Sequence, residues 1–181
     1  MKGIVFTEFL EMVETLHDGD FVDELIVTAG LPHDGAYSAV GTYPHTEMAA
    51  LVVRYSAMTG TQVPLALRGF GRHLFSRFAT LYPVFFENIR CPLHFLGTIE
   101  GVIHVEVRKL YPDAELPRFD AVWPSPDVLE LTYRSERHLG DLAAGLIEGC
   151  VEHFGIPHTI ERSEPAADGA VLFRISRLAN E

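Results

Sequence analysis

The sequence predicts an α+β fold, with a helical N-terminal lobe packed against a C-terminal lobe of antiparallel strands plus helices. Two observations carry this prediction. Apolar residues recur at helical spacing through most of residues 1–110, whereas the chain after Pro112 contains short strand-like runs between turns. A length of 181 residues suits one domain with two lobes, and 48% hydrophobic residues suffice for a core.

The N-terminal helices are predicted from apolar periodicity and from the residues that end them. Gly30-Leu31-Pro32 ends the second helix, Thr59-Gly60-Thr61 separates the third from the fourth, and Tyr82-Pro83 breaks the fourth. The fifth helix carries His104. The predicted helices cover residues 3–17, 19–29, about 46–59, about 62–80 and about 92–110.

The C-terminal elements are predicted as two strand pairs around one helix. Gly155-Ile156-Pro157 closes the helix, and Ala167-Asp168-Gly169 forms the turn of the last strand pair. The crevice between the helical part and this part is a natural place for a large flat ligand. The predicted strands cover residues 118–123, 128–134, 158–163 and 170–177, and the predicted helix covers residues 138–154.

Charge and composition exclude several classes of partner. A net charge of −11, from 14 basic and 25 acidic residues, argues against nucleic acid and against an anionic membrane surface. Neither a secretory signal nor an apolar run of roughly 20 residues is visible. The two cysteines, Cys91 and Cys150, are far apart in sequence and outside CxxC spacing. We therefore expect a cytoplasmic protein with reduced thiols.

The run Tyr133-Arg134-Ser135-Glu136-Arg137 places three polar side chains at alternate positions directly after a strand-like run. In an extended segment, Tyr133, Ser135 and Arg137 would face one target, and two hydroxyls with a guanidinium suit a carboxylate. About thirty residues upstream, His104 lies in an otherwise apolar helical stretch. One imidazole and a carboxylate clamp are what a haem needs for its iron and its propionates. Taken alone, the pattern also fits an exposed strand end.

Further motifs are dispersed along the whole chain, in an order and spacing that fit one family from residue 1 to about residue 177. They are Met1-Lys2-Gly3-Ile4-Val5-Phe6, Gly35-Ala36-Tyr37, Val40-Gly41-Thr42-Tyr43-Pro44, Phe70-Gly71-Arg72, Tyr82-Pro83-Val84-Phe85-Phe86, Ile103-His104-Val105-Glu106-Val107, Leu116-Pro117-Arg118-Phe119, Tyr133-Arg134-Ser135-Glu136-Arg137 and Gly145-Leu146-Ile147-Glu148-Gly149. With these runs the chain resembles the haem-nitric-oxide/oxygen-binding (H-NOX, HNOB) family, which is also the sensor domain of soluble guanylate cyclase.

The resemblance implies one haem-binding domain over residues 1–181, with a helical subdomain of about residues 1–65. The haem-ligand helix and the antiparallel sheet then belong to a second subdomain of about residues 66–181, and the haem lies between the lobes. His104 aligns with the proximal iron ligand of a non-covalently held haem b. Pro117 aligns with a proline that presses on the haem face and distorts the ring. Propionate binding is implied for Tyr133, Ser135 and Arg137.

The resemblance also implies an apolar distal pocket. Leu142 stands where family members that bind oxygen stably carry a tyrosine. Bound oxygen carries partial negative charge and needs a hydrogen-bond donor, whereas nitric oxide gains far less from one. The chain therefore resembles the nitric-oxide-selective branch. The aligned distal residues are Val5, Phe9, Leu74, Phe78, Leu142 and Leu146.

The function implied is that of a bacterial-type, stand-alone gas sensor for nitric oxide. Nitric oxide binding is expected to weaken or break the bond between iron and His104, after which the lobes shift. The family's habits imply signal transduction to a separate effector, a histidine kinase or a cyclic-di-GMP enzyme. No residue specifies that partner.

Several alternatives remain open. The chain lacks the cluster of three cysteines and one histidine that binds zinc in several bacterial members, which makes a redox-responsive role doubtful. No nucleophile elbow, phosphate loop or H-E-x-x-H pair is present, and a peroxidase-type haem enzyme needs a distal histidine or arginine. We therefore expect no enzyme activity. The alternatives are an oxygen-binding or redox-responsive haem protein, or a haem carrier or haem enzyme without signalling.

Overall fold

Seven α-helices and one four-stranded antiparallel sheet build residues 1–178, the part of the chain that the computed structural model describes. The α+β class is confirmed; the last three residues of the predicted domain, 179–181, lie outside the described part. The helices are α1 (Gly3–Leu16), α2 (Gly19–Ala29), α3 (His45–Thr59), α4 (Val63–Leu81), α5 (Pro92–Gly97), α6 (His104–Leu110) and α7 (Gly140–Phe154). The strands are β1 (Arg118–Ser125), β2 (Val128–Arg134), β3 (His158–Arg162) and β4 (Val171–Arg177).

Local sequence signals account for both ends of α2 and for the C-terminal end of α3. The Asp18 side chain caps α2 by accepting a hydrogen bond from the Phe21 backbone N–H at 2.8 Å. Gly30 and Gly60 end α2 and α3 in the left-handed conformation, with φ of 62° and 73°. These ends agree with the helix boundaries predicted from the sequence to within a residue.

The segment predicted as one helix over residues 92–110 is instead three helical pieces. After α5, a π-helical turn spans Ile99–Ile103 and leads directly into α6. The Thr98 carbonyl accepts hydrogen bonds from the backbone N–H groups of Val102 and Ile103, at 2.8 and 3.3 Å. The Thr98 hydroxyl also donates to the Phe95 carbonyl at 2.7 Å, so it competes with the regular helical pattern. The prediction of one regular helix was therefore wrong, although His104 is helical.

The sheet has the strand order β1-β2-β4-β3, with every neighbouring pair antiparallel. Along the central strand β2, Leu129, Leu131 and Tyr133 are buried at alternate positions. Tyr133 pairs with Phe119 on β1 and with Val171 on β4. Tyr133 therefore lies on the buried face of the sheet, near the end of β2.

Two hydrophobic cores divide the molecule. The first lies among α1 to α4, and the second lies among α5, α7 and the sheet. Helix α4 contributes to both, because Leu74 belongs to the first core and Phe75 to the second. Leu146 on α7 also packs against both cores. The subdomain boundary near residue 65 stays a prediction.

None of the helices among residues 1–178 combines the length and the apolar character needed to cross a bilayer.

Candidate functional site

A cavity of about 310 Å³ lies between the helices and the sheet. Its size is at the lower end of the range of about 300–1,000 Å³ that small-molecule sites occupy. All of the site residues predicted from the sequence line this cavity except Phe9. The predicted residues that line it are His104, Tyr133, Ser135, Arg137, Pro117, Val5, Leu74, Phe78, Leu142 and Leu146.

Phe9 lies in the first hydrophobic core, away from the cavity surface. Its side chain is fully buried, and its ring packs edge-on against Phe70 and Tyr55 at centroid distances of 5.1 and 6.0 Å. Val5, one helical turn earlier on α1, is the residue of that helix face that reaches the cavity. Phe9 therefore supports the wall rather than forming its surface.

His104 is the first residue of α6 and is 8% exposed. Its Nδ1 lies 3.0 Å from Glu100 Oε2, which fixes Nδ1 as the protonated donor and leaves Nε2 with its lone pair. Burial lowers the pKa of His104 below its ordinary value, against the opposing pull of Glu100. The imidazole is therefore neutral near pH 7, which is the state that ligates a metal.

Glu100 is a residue of the site that the sequence reasoning missed. Burial alone would raise the pKa of Glu100, but hydrogen bonds from Arg108, His104 and the Phe119 backbone N–H bring it below its ordinary value. The carboxylate is therefore charged and accepts bonds on both oxygens. The available signal was its position four residues before His104 on a helical segment.

Tyr133 reaches the cavity from the end of strand β2, whereas Ser135 and Arg137 reach it from the turn that follows, not from an extended segment. Strand β2 ends at Arg134, and the following turn is closed by a bond from the His138 N–H to the Ser135 carbonyl at 3.2 Å. The Ser135 hydroxyl accepts from the Arg137 backbone N–H at 3.2 Å. The alternating geometry proposed from the sequence was therefore wrong for Ser135 and Arg137, although all three side chains line one cavity.

One corner of the cavity, lined by Tyr133 and Arg137, presents groups that can bind an anion. The Tyr133 hydroxyl accepts from the Leu139 N–H at 3.2 Å and so keeps its own proton for donation. Burial raises the pKa of Tyr133, so the hydroxyl stays protonated. Arg137 donates to the Glu115 carbonyl at 2.9 Å and to the Glu115 carboxylate at 2.7 Å. The guanidinium fork thus already holds a carboxylate at the cavity edge.

The wall formed by α1, α4 and α7 is apolar. Tyr82, at the end of α4, and Lys2 and Tyr111 add polar atoms elsewhere in the lining. The Lys2 ammonium donates to the Thr42 hydroxyl at 2.8 Å and lies 4.7 Å from the centre of the Tyr111 ring. The Tyr82 ring lies 6.0 Å from the Phe78 ring, between centroids, so Tyr82 brings a hydroxyl beside the apolar wall that the sequence reasoning did not identify. The apolar wall comprises Val5, Leu74, Phe78, Leu142 and Leu146.

The segment that leads into β1 lines the cavity beside the sheet. Pro117 lines it directly before β1, and the Phe119 ring follows two residues later. That ring lies 6.0 Å from the His104 ring and 5.5 Å from the Tyr133 ring, between centroids. Because proline has a fixed φ, this part of the segment resists local rearrangement.

The donor set fits a metal held in an organic ring better than a metal held by protein alone. No cluster of three or more histidine, cysteine, aspartate or glutamate side chains suited to a metal occurs among residues 1–178. His104 would thus supply a single protein ligand, and the remaining ligands would come from the ring. An apolar cavity with one neutral imidazole and one arginine corner has the chemistry that an iron porphyrin with carboxylate substituents requires.

Comparison with known families agrees with this chemistry. The family model described as haem-NO-binding (HNOB) matches residues 2–162. The chain belongs to the haem-NO-binding family. No match is found among curated proteins.

Structures of family members superpose over almost the whole chain. The Fe(II) unliganded H-NOX protein from K. algicida has 37% sequence identity and a TM-score of 0.92, over 99% of this chain and 98% of that chain. The IWP-051-bound H-NOX from Shewanella woodyi, in the Fe(II)CO state, has 34% identity and a TM-score of 0.85, over 98% and 95%. The H-NOX protein from S. oneidensis in the Fe(II)NO state has 25% identity and a TM-score of 0.91, over 99% and 100%.

Proposed function

We propose that this protein is a haem-based gas sensor selective for nitric oxide and has no enzyme activity. A non-covalently held haem b occupies the cavity as its cofactor. His104 ligates the iron, Tyr133, Ser135 and Arg137 hold the propionates, and Pro117 presses on the ring. The sensor domain spans residues 1–181.

One observation carries the proposal: a single cavity brings together the neutral imidazole of His104 and the hydroxyl and guanidinium groups of Tyr133, Ser135 and Arg137. These groups come from elements far apart in sequence, which are the start of α6, the end of β2 and the turn after β2. The reported states of the S. woodyi and S. oneidensis relatives, Fe(II)CO and Fe(II)NO, support a ferrous haem that takes a diatomic gas.

Selectivity for nitric oxide rests on the apolar wall of the cavity. When bound, haem supplies a ferrous iron with an open position for a diatomic gas. Leu142, Leu146 and Phe78 offer no hydrogen-bond donor, so bound oxygen gains no stabilisation from them. The wall also offers no acid or base for peroxide chemistry.

Signalling follows from the position of His104 between the two lobes. In the proposed switch, nitric oxide bound to a haem in this cavity would weaken the bond between the iron and His104, and α6 would then be free to move. Because α6 is continuous with the π-helical turn, which packs against β1, a movement of α6 would be transmitted to the sheet and would give the two states that a switch requires. A separate cytoplasmic effector, a histidine kinase or a cyclic-di-GMP enzyme, reads this change.

Two observations bear on the alternatives. Both cysteines are free, and burial raises the pKa of Cys150, which disfavours its thiolate and a thiol-based redox role. The oxygen-binding alternative is favoured by Tyr82, whose side chain lines the cavity and whose ring lies 6.0 Å from that of Phe78, between centroids. A stable oxygen complex that disappears in Tyr82→Phe would move the protein to that alternative.

The test is an anaerobic absorption spectrum of the dithionite-reduced protein, alone, with nitric oxide and with air. We expect a ferrous haem spectrum that shifts with nitric oxide and gives no stable oxygen complex. His104→Gly should lose this spectrum and regain it with added imidazole, because exogenous imidazole replaces the missing side chain. His94→Gly is the control, because His94 is exposed and does not line the cavity. An unchanged spectrum in His104→Gly would overturn the assignment of the ligand.

A further inference from the structure

The Glu100 carboxylate is held by three donors from three directions. Glu100 Oε2 accepts from His104 Nδ1 at 3.0 Å and from the Phe119 backbone N–H at 3.3 Å. The other oxygen, Oε1, accepts from Arg108 Nη2 at 3.1 Å. With both oxygens engaged, the carboxylate cannot rotate away without losing bonds to α6 and to β1.

The backbone places Glu100 beside His104 at a point of irregular geometry. Glu100 lies in the π-helical turn Ile99–Ile103, and His104 is the first residue after it. Residues four apart in a helical segment share a face, so the two side chains meet directly. Single π-helical turns within helices occur frequently at functional sites.

We propose that Glu100 is a positioning residue that holds His104 Nδ1–H, presents Nε2 to the haem iron and strengthens the iron–histidine bond. This inference rests on the proposed function, because it takes His104 as the iron ligand. A ligating histidine that donates its second ring N–H to a carboxylate is oriented by it and becomes a stronger electron donor. Glu100 therefore sets how readily His104 leaves the iron.

The Glu100 carboxylate also connects His104 to the sheet. Because Oε2 is shared between His104 and the Phe119 N–H, a displacement of His104 that carried Glu100 with it would strain or break the hydrogen bond to β1. The link is short in space but spans 19 positions in sequence, from Glu100 to Phe119. Glu100 thus couples the ligand helix to the C-terminal lobe as well as tuning the bond.

Two substitutions separate the charge of Glu100 from its ability to accept a hydrogen bond. Glu100→Gln keeps an acceptor oxygen and nearly the same shape, whereas Glu100→Leu removes the acceptor. Glu106→Gln is the matched control, because Glu106 is on α6, forms an ion pair with Lys109 at 2.6 Å and does not line the cavity. The control carries the same change of charge two residues from His104.

The first readout is the iron–histidine stretching frequency in the resonance Raman spectrum of the reduced, haem-loaded protein. We expect it to fall from the native protein to Glu100→Gln and further in Glu100→Leu, and to stay unchanged in Glu106→Gln. Haem affinity should fall by roughly tenfold or more in Glu100→Leu. Equal frequencies in all four proteins would overturn the inference and leave the proposed function standing.

The second readout uses the protein without haem. The nitrogen NMR signals of the His104 imidazole can be assigned, because they are missing from the spectrum of His104→Gly. These signals report which ring nitrogen carries the proton. We expect His104 to carry it on Nδ1 in the native protein and to lose this preference in Glu100→Leu. An unaltered tautomer in Glu100→Leu would contradict the positioning role. If His104→Gly kept the native haem spectrum, the proposed function and this inference would both fail.

Discussion

The carboxylate of Glu115 lies 2.7 Å from the guanidinium of Arg137, and the backbone carbonyl of Glu115 accepts a second bond from it at 2.9 Å. Arg137 is largely covered, with 14% of its side chain exposed, whereas 85% of the Glu115 side chain is exposed. Glu115 is therefore the partner that can turn into solvent without leaving a buried gap. A carboxylate ligand in the cavity competes with Glu115 for the same donors.

Glu115→Gln is expected to raise haem affinity by roughly two- to fivefold, because the charged competitor for Arg137 is removed and an exposed ion pair is weak. The measurement is haem association and dissociation by absorption spectroscopy. Glu136→Gln is the control, since Glu136 is exposed and lies outside the cavity lining. Equal gains in both variants would point to net charge rather than to competition.

Arg137→Ala is expected to lower haem affinity by roughly 10- to 100-fold, because buried carboxylates lose charge-assisted hydrogen bonds. The rate of haem transfer to an excess of an acceptor protein measures this loss. Arg134→Ala serves as the comparison, because Arg134 binds Asp120 at 2.7 Å and does not line the cavity. Matching transfer rates in the two variants would remove Arg137 from the propionate site.

Leu142→Tyr is expected to give the protein measurable oxygen affinity. Leu142 lines the cavity from α7, so a tyrosine there carries a hydroxyl donor to a wall that has none. Leu142→Phe is the control, because it adds the ring without the hydroxyl. Oxygen titration of the reduced proteins is the measurement. An oxygen complex in the phenylalanine variant would show that the added ring, not the hydroxyl, is responsible.

The fold was largely predictable because its signals are local. Gly30 and Gly60 end helices where the sequence places them, and the burial pattern of β2 follows from its alternation. Ser135 and Arg137 line the same cavity as Tyr133, but they do so from a turn and not from the extended segment that the sequence predicted. A turn and an extended segment both bring i and i+2 side chains near each other, so the motif alone did not distinguish them.

The rest depends on packing between distant segments. Glu100, in the π-helical turn before His104, accepts a hydrogen bond from the Phe119 backbone N–H on β1. The apolar periodicity of the sequence carries no information about that contact. Phe9 and Val5 lie on the same face of α1, one turn apart, but Phe9 packs against Phe70 in the first core while Val5 lines the cavity. Sequence patterns indicate which face of a helix is buried, whereas packing by neighbouring helices decides which residues of that face border the cavity.

Gly145→Ala is expected to destabilise the protein by about 1–3 kcal/mol, because helices α4 and α7 are packed too closely for a side chain there. A Cβ at Gly145 would collide with the Arg68 backbone carbonyl. Gly69→Ala, on the same helix pair, is the control, because a Cβ at Gly69 meets nothing within 4 Å. It should stabilise α4 by up to about 1 kcal/mol. Urea unfolding measures both, and a neutral Gly145→Ala would refute the close approach.

His73 on α4 carries a buried ring nitrogen, Nε2, that has no hydrogen-bond partner among residues 1–178. Its distance to Glu8 Oε2 is 3.8 Å. Burial lowers the pKa of His73 below 6.5, and the attraction of Glu8 offsets only part of this. Below pH 6.5 the unfolded chain therefore binds a proton at this position more readily than the folded protein does.

The stability of the native protein should accordingly fall as the pH drops below 6.5, until the lowered pKa of folded His73 is reached. His73→Gln removes this titration, so its free energy of unfolding should fall less between about pH 7.5 and about pH 5.5. The measurement is urea unfolding at both pH values. His45→Gln is the control, because His45 is exposed at the start of α3. An equal acid sensitivity in the native protein and in His73→Gln would show that other groups, such as His104, carry the effect.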